Sequence, residues 1–498
     1  MTVTAISLIS VPQFIYINRT IRDLYGSYLI LSYLVQSICK AAEDKNLQII
    51  MPGKSRNSYY NSDLMIIEGI LTEEEAKIIL KNSWKNLTYL CKQWIEKRIQ
   101  GQRQWHKQWD LYSNYNWDIL WVEAINIQEA IHKLNKAKLC NRWTAINWQG
   151  ESGNYGVDAI AHYGMGNYND SQKNTDFMNR EINSFYNQLK KFSPFKEYLS
   201  DVEDNFTIIE LVKWLVTDDE IFSQVFSSKE EATKFIFPDF LDFKPFGEKS
   251  RCAYFYGEID IDNIISKYSN EPVDFKNISQ NLQSWIHTKL YQSIEQHFGD
   301  LVYITNTKFL GTFYFNSTFS MHQRNNWLCD FIKLWSHNDY SQSCATSIGY
   351  VYANSKVSQI DILYHCQRAK DSAEKLGGYR VGFRILFSNG HWLECICPYW
   401  FLEVIFSDNL KYDWTAIHND ILDLEYRHAF SDDDNEVSLG IFEIYFGKSN
   451  RLLLMNNLWN NGDRAGIIGN KNNKNTHSYN LVNNWIINFI KVCFHIYK

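Results

Sequence analysis

The chain has 498 residues, of which 45% are hydrophobic and 16% aromatic, so it can bury large cores and is neither disordered nor collagen-like. At about 100–200 residues per domain, this length predicts about three or four modules. The formal net charge of −6 excludes a uniformly basic nucleic-acid coat and leaves any RNA contact to local basic patches.

The first predicted elements form a layered α/β module. The start of the chain is typical of a strand and turn rather than a signal peptide, because it lacks a basic segment. A long helix is predicted over 19–43 and a strand over 47–52. The helix carries an apolar stripe at spacings of three and four residues, formed by Leu24, Tyr28, Leu31, Val35 and Ile38.

Residues 72–109 are predicted to be helical and include a basic and aromatic stretch over 91–109. Interleaved aromatic and basic side chains can bind RNA through phosphate pairing and base stacking. The alternative is an amphipathic surface helix with its tryptophans, Trp94 and Trp109 among them, packed inside. A second basic run over 133–142 leaves the same two interpretations open. The RNA-contact candidates are Lys92, Lys97, Arg98, Arg103, Trp105 and Lys107.

The middle of the chain has a loop rich in Gly, Asn and Asp over 147–175, followed by two predicted helices over 176–191 and 207–217. The second helix opens with Thr207 and Glu210, which have the spacing of a capping box. Residues 240–250 are predicted to be a domain boundary.

Residues 251–400 have the most regular pattern, a βαββαβ-like order that is the ferredoxin-like plan of palm domains. A helix is predicted to run from its cap, Ser358, to Leu376, and a second hairpin to turn at 388–390. The predicted strands are 251–260, 301–304, 309–315, 345–353, 380–387 and 391–397. Helices at about 413–430, 436–446 and 478–495 follow.

The ten cysteines are scattered without a Cys-x-x-Cys motif, so a disulfide framework is not expected. Cys395 and Cys397 have strand spacing and are expected to be two half-buried thiols on one face, since His391 alone does not complete a metal site. His162, His365 and His495 are expected to be ordinary packed or surface histidines. No apolar run approaches the ~20 residues of a membrane span, so a soluble cytoplasmic protein is expected.

The sequence contains no phosphate-binding loop, zinc-protease motif, hydrolase nucleophile motif or His-Asp dipeptide. A palm-type nucleotidyl cyclase needs acidic residues on its first strand and at a hairpin tip, because these hold two divalent ions. The first place offers Glu258, Asp260 and Asp262. The tip offers Thr305, Asn306, Thr307 and Lys308, which include no carboxylate. Two-metal catalysis is therefore expected to fail, and no metal site is predicted.

Four groups of motifs resemble the large subunit of Cmr-type (type III-B) CRISPR–Cas effector complexes, in its cyanobacterial-style form. Near the start these are RTIRDLYGSYLILSYL and IIMP. In the middle they are GESGNYGVDAIAHYGM, EINSFYNQL and TIIELVKWLV. The longest match covers 347–403, from SIGYVYANSK to CPYWFLE. At the end they are DILDLEYRHAF, EIYFGKSNRLLLMNNLW and NNWIINFIKVCFH.

The resemblance implies an α+β fold with two ferredoxin-like, nucleotidyl-cyclase-like palms and two helical domains. The implied domains are 1–146 (first palm with a helical insertion), 147–250 (helical), 251–400 (second palm) and 401–498 (helical). The helix that follows the family's HD nuclease domain begins here at residue 19, so that domain is expected to be absent. The family's zinc-binding cysteine cluster also has no counterpart, since Cys140 stands alone.

The family's Gly-Gly-Asp-Asp tip is replaced by Thr305-Asn306-Thr307-Lys308, and its first-strand Asp-Gly-Asp aligns with Glu258-Ile259-Asp260. The setting of the tip is kept by Tyr303, Phe309, Leu310 and Gly311.

The resemblance implies RNA-guided recognition of target RNA in antiviral defence. The implied partners are crRNA, target RNA and other Cmr-type subunits, namely the repeat-family backbone, the 5′-tag-binding subunit and the small subunits. A non-enzymatic scaffold without a cofactor is expected, although ATP or Mg²⁺ could bind. The alternatives are a nucleotide sensor, in which Lys308 pairs with a triphosphate and Asp260 holds one ion, a residual cyclic oligoadenylate synthase, and an unrelated α/β protein.

Overall fold

The computed structural model describes most of the chain outside its longest loops. The described residues are 2–9, 11–16, 18–53, 62, 64–115, 117–140, 158–165, 175–196, 205–226, 251–268, 271–315, 327–354, 356–406, 412–428, 435–452 and 477–497. The predicted boundary at 240–250 and most of the predicted loop over 147–175 lie outside them.

The first sheet has four antiparallel strands in the order β2-β3-β1-β4. Helices lie between β1 and β2 and between β3 and β4, so this is the βαββαβ plan with strand order 4-1-3-2, which confirms a ferredoxin-like first palm. The strands are β1 (Val3–Leu8), β2 (Gln48–Met51), β3 (Leu64–Glu68) and β4 (Ile119–Ala124). The helices are α1 (Val11–Tyr16), α2 (Ile21–Asp44), α3 (Glu73–Arg98), α4 (His106–Tyr115) and α5 (Ile127–Leu139).

Three further helices follow along the chain, α6 (Thr175–Leu189), α7 (Ile208–Leu215) and α8 (Asp219–Phe226). The predicted capping box of α7 is confirmed, because Thr207 accepts a hydrogen bond from the backbone of Glu210 and Glu210 bonds back to Thr207. The helix predicted over 72–109 is instead two helices, since the chain is extended at Ile99.

The second sheet has six strands in the order β10-β9-β8-β5-β7-β6. Its inner set β8-β5-β7-β6 repeats the 4-1-3-2 order and confirms a second ferredoxin-like palm. Strand β9 extends the sheet parallel to β8, and β10 pairs antiparallel with β9. The strands are β5 (Arg251–Ile259), β6 (Gly299–Ile304), β7 (Lys308–Phe315), β8 (Thr346–Asn354), β9 (Arg380–Leu386) and β10 (Trp392–Pro398).

The helices of this half are mostly those expected from the pattern. They are α9 (Asp262–Tyr268), α10 (Pro272–Trp285), α11 (Tyr291–Gln296), α12 (Trp327–Ser336), α13 (Gln359–Lys375), α14 (Tyr399–Phe406), α15 (Trp414–His428), α16 (Asn435–Phe446) and α17 (His477–Tyr497). A π-helical turn, Ile286–Leu290, joins α10 to α11. Ser358 caps α13 as predicted.

The chain forms two compact units, Met1–Lys244 with Ile265–Gln283, and Pro245–Ile264 with Ser284–Lys498. The finer division into four domains stays a prediction. Among the helices of the described residues, none is long and apolar enough to cross a membrane.

Two cysteines confirm the predicted alternation of β10. Cys395 and Cys397 face the same side, with their sulfur atoms 3.6 Å apart. Both are buried more deeply than the half-burial expected from the sequence, at 3% and 0% exposure.

Two glycines set how closely α13 approaches the second sheet. Gly349 on β8 and Gly382 on β9 are register partners. A Cβ atom at Gly349 would overlap the carbonyl oxygen of Cys366, and one at Gly382 would overlap that of Ala369. The absence of side chains therefore lets the backbone of α13 rest directly on the strands, which brings Lys370 of this helix toward β5.

We expect Gly349→Ala to lower the free energy of unfolding by about 1–3 kcal/mol, because the added methyl group forces α13 away from the sheet. Denaturant unfolding of the full chain, followed by tryptophan fluorescence, measures this change. The matched control is Gly440→Ala in α16, where a Cβ meets nothing within 4 Å. That change should raise helix stability by up to about 1 kcal/mol. Equal effects of the two substitutions would contradict the close-packing argument.

Candidate functional site

The hairpin between β6 and β7 turns at the predicted tip. The backbone N–H of Thr305 donates to the carbonyl of Lys308 at 2.7 Å. The Thr305 hydroxyl accepts from the N–H of Lys308 at 3.0 Å. Thr305 and Asn306 are 1% and 2% exposed. The Thr305 side chain therefore closes the turn, and the cationic Lys308 side chain begins β7.

The tip lies beside the acidic end of β5. Glu258 is the register partner of Lys308 across the β5–β7 pair. The N–H of Ile259 donates to the carbonyl of Thr307 at 2.7 Å, and that of Asp260 to the carbonyl of Ala345 at 2.8 Å. The two places predicted from the sequence to form one site are therefore adjacent in the structure.

A lysine from α13 completes this cluster. Lys370 has a side chain only 4% exposed, and its Nζ lies 2.6 Å from Oε2 of Glu258. The same Nζ lies 3.0 Å from Asp371 and 2.7 Å from Glu374. On the other side, Nζ of Lys308 lies 3.7 Å from Oε1 of Glu258. One first-strand carboxylate is thus shared by two ammonium groups.

The electrostatics of the cluster favour a charged Lys370. Burial lowers the pKa of this lysine, but attraction to Glu258 and hydrogen bonds to Glu258, Glu374 and Asp371 outweigh that cost, so its pKa is raised overall. Nearby, burial and repulsion from Asp260, Glu374 and Glu258 raise the pKa of Asp262. The cluster therefore retains surplus negative charge, even with two ammonium groups inside it.

These residues do not suit a pair of divalent ions. Ions that bridge attacking and leaving oxygens need carboxylates from both the first strand and the tip, whereas the tip supplies Lys308. The Glu258 carboxylate is already held by Lys370, and an ammonium repels a metal ion. Within the described residues, no group of three or more His, Cys, Asp and Glu side chains could hold a metal ion.

The sequence analysis missed Lys370, Asp371 and Glu374. A signal was present, because Lys370 falls in the buried stripe of α13. A lysine inside an apolar stripe indicates a buried ion pair, and the spacing of Lys370 and Glu374 brings them to one helix face. The stripe also contains Ile362, Cys366, Ala369 and Ala373.

Two solved structures contain chains that are similar to this one in fold. A chain of "Type III-B Cmr-beta Cryo-EM structure of the Apo state" matches with a TM-score of 0.56 and 10% identity, covering 90% of this chain and 77% of that one. A chain of "Cryo-EM structure of the Type III-B Cmr-beta bound to cognate target RNA" matches with a TM-score of 0.56 and 9% identity, covering 100% of this chain and 83% of that one. The chain has the fold of a Cmr-beta subunit. No family model and no curated protein matches it.

Within this Cmr-beta-like fold, the proposed stacking role of Trp105 is wrong. Trp105 is 0% exposed. Its ring packs 4.9 Å from Trp109 and 4.8 Å from Tyr163, and its Nε1 donates to Glu96 at 3.0 Å. Trp94 and Trp109 are buried too, at 2% and 1%. The amphipathic helix with its tryptophans inside is the correct alternative, because no indole face is left for a base.

The basic candidates lie at the surface around this aromatic core. Arg98 bonds to Glu220 at 2.6 Å and covers the Trp94 ring at 4.2 Å. Arg103 lies 3.7 Å from Glu96. Lys97 and Lys107 are exposed and Lys92 is half-buried. Phosphate contacts by these five residues stay a prediction, and the arginines would first have to leave these partners.

In the second basic run, Lys133 pairs with Glu129 at 3.0 Å, while Arg142 lies outside the described residues.

We expect Trp105→Ala to lower the free energy of unfolding by about 3–5 kcal/mol, because it removes the centre of a packed aromatic cluster. Denaturant unfolding of the full chain measures this loss. Lys107→Ala on the exposed side of the same segment is the matched control and should change stability by less than about 0.5 kcal/mol. A stable Trp105→Ala protein with weakened RNA binding would restore the stacking interpretation.

We expect Lys370→Met to create a divalent cation site, because it leaves three carboxylates around the space that the ammonium fills. Ca²⁺ suits this test, since it accepts flexible sets of carboxylate oxygens. Isothermal titration should show one Ca²⁺ per chain for Lys370→Met and none at this site for the wild type. Lys375→Met, on the exposed end of the same helix, should behave as the wild type. If all three proteins bound Ca²⁺ equally, or if none of them bound it, the result would contradict the exclusion of cations by Lys370.

Proposed function

We propose that this chain is the large subunit of a type III CRISPR RNA-guided effector complex and acts there as a non-enzymatic scaffold in antiviral defence. The observation that carries the proposal is the full-length match to a Cmr-beta chain, which includes both palms and the helical segments. Structural likeness at about 10% identity gives the fold. The ordered sequence motifs supply the step from fold to role.

The partners that follow are crRNA, target RNA and the other Cmr-type subunits. One of the similar structures is bound to cognate target RNA. Because this chain has a surplus of acidic residues, we propose that neighbouring subunits make many of the contacts that bind RNA. Such a particle would work in the cytoplasm.

The absence of catalysis is part of the proposal, and the second palm supports it. The carboxylate expected to hold a metal, that of Glu258, is shared by Lys370 at 2.6 Å and Lys308 at 3.7 Å. A palm that cannot gather divalent ions cannot neutralise the charge developed during nucleotidyl transfer. No cofactor is therefore required in the proposed role.

The nucleotide-sensor alternative has weaker support. Lys308 is the cation that would meet a triphosphate, and it already lies beside Glu258. The surrounding carboxylates repel a phosphate chain that brings no metal ion with it. A residual cyclase would face the same repulsion and would also lack a carboxylate at its hairpin tip.

Co-expression with crRNA and companion Cmr-type subunits tests the proposal. We expect the chain to co-purify in a stoichiometric particle that binds target RNA. With ATP and Mg²⁺ supplied, this particle should make no oligoadenylate, and titration should show no ATP bound. A particle built with a large subunit that keeps the Gly-Gly-Asp-Asp tip is the positive control for synthesis.

Two results would contradict the proposal in different ways. Failure to enter any particle with RNA would remove the assignment to the complex. Oligoadenylate synthesis that disappears in Glu258→Gln and Asp260→Asn would keep the assignment but overturn the non-enzymatic role.

A further inference from the structure

Trp392, the first residue of β10, is the most exposed tryptophan in the described part of the chain, at 51%. Tyr364 on α13 is also 51% exposed. Because these two rings are half exposed, they contribute less hydrophobic stabilisation than the buried aromatic residues of this chain. Exposed aromatics that occur together indicate a binding surface rather than a folding requirement.

The two rings belong to one continuous row. The His365 ring lies 5.0 Å from the Trp392 ring and 5.5 Å from the Tyr364 ring. Beyond Tyr364, the guanidinium of Arg368 lies 5.3 Å from the ring centre, and its Nε donates to the phenol oxygen at 3.3 Å. The row is held by a strand and a helix of the second palm, so its geometry is set before any ligand arrives.

A partly buried ion pair supports the centre of the row. Arg384 of β9 donates through Nε and Nη2 to Oε1 of Glu394 at 3.0 and 2.9 Å. Its Nη1 lies 3.0 Å from Nδ1 of His365. Because a guanidinium can only donate, Nδ1 accepts, and the neutral ring carries its proton on Nε2. Burial, and then the charge of Arg384, lowers the pKa of His365, so the ring is neutral near pH 7.

The surroundings of the row favour a nucleic-acid base over a protein partner. Residues 388–391 beside Trp392 are Ser, Asn, Gly and His, and all are exposed. A protein interface core would instead surround its aromatic anchors with packed apolar residues. Arg368 is exposed and offers a positive charge to a phosphate. The nearby Asp361 carboxylate accepts from the Ser358 hydroxyl at 2.6 Å at the cap of α13.

We propose that Trp392, Tyr364 and Arg368 form a stacking platform that binds unpaired bases of single-stranded RNA. The aromatic faces take the bases and Arg368 takes an adjacent phosphate, which is the combination that binds single strands without reading their sequence. The platform rests on the proposed function in taking RNA as its ligand, and it assigns that contact to residues outside the basic stretch over 91–109.

Fluorescence anisotropy of the full chain with a labelled 12-nucleotide oligouridine tests the platform. We expect Trp392→Ala and Tyr364→Ala each to weaken binding at least about fivefold, since each removes one stacking face. Trp392→Phe keeps a ring and should recover most of the affinity. Arg368→Gln should reduce the slope of log affinity against log salt by about 0.7, because one phosphate contact is lost.

The matched control is Tyr426→Ala on α15, which removes an aromatic side chain that is 90% exposed and does not belong to the row. It should leave RNA affinity unchanged, and thermal melting should show that all the variants stay folded. Failure of the wild-type chain to bind oligouridine, or equal affinities of Trp392→Ala and the wild type, would overturn the platform.

Crosslinking within the assembled particle separates this inference from the proposed function. Ultraviolet crosslinks from RNA to the peptides that contain Trp392 or Tyr364 are expected. Protection of these peptides by another subunit, with no RNA crosslink, would assign the surface to a protein partner and overturn the platform, while the subunit assignment would stand. Failure of the particle to assemble would instead count against the proposed function.

Discussion

The second palm is organised around one buried ammonium group. Nζ of Lys370 lies within 3.0 Å of carboxylates from Glu258, Asp371 and Glu374, which belong to both β5 and α13. Lys370 is buried, so removing the carboxylates would leave its charge uncompensated, which costs more than the pair contributes. The interaction therefore holds α13 against the first strand of the palm.

This ion cluster depends on backbone packing that has no charge of its own. Gly349 and Gly382 form adjacent contact points for α13, because neither presents a Cβ to the helix carbonyls. The same helix carries Lys370 on its buried side and Tyr364 and Arg368 on its exposed side. One close helix–sheet contact thus positions both the cluster at the hairpin tip and the aromatic row proposed to bind RNA.

The large aromatic content serves two separate purposes. Most tryptophans of the described residues lie in cores, such as the cluster in which Trp105 contacts Trp109 and Tyr163. Some of these indoles also donate a hydrogen bond, as in the bond from Trp105 to Glu96. Trp392 differs, since it is the first residue of an edge strand and is 51% exposed.

Sequence patterns predict the local elements: the capping box at Thr207, the hairpin tip at Thr305–Lys308 and the succession of strands along the second palm. These depend on neighbours in the chain, so spacing and turn chemistry reveal them. Short strands such as β4, half-buried between long helices, left no comparable pattern. The pairing of Lys370 with Glu258, 112 residues away, and the burial of Trp105 are seen only in the folded chain. Both outcomes depend on which surfaces meet in three dimensions, and periodicity along a chain does not encode that.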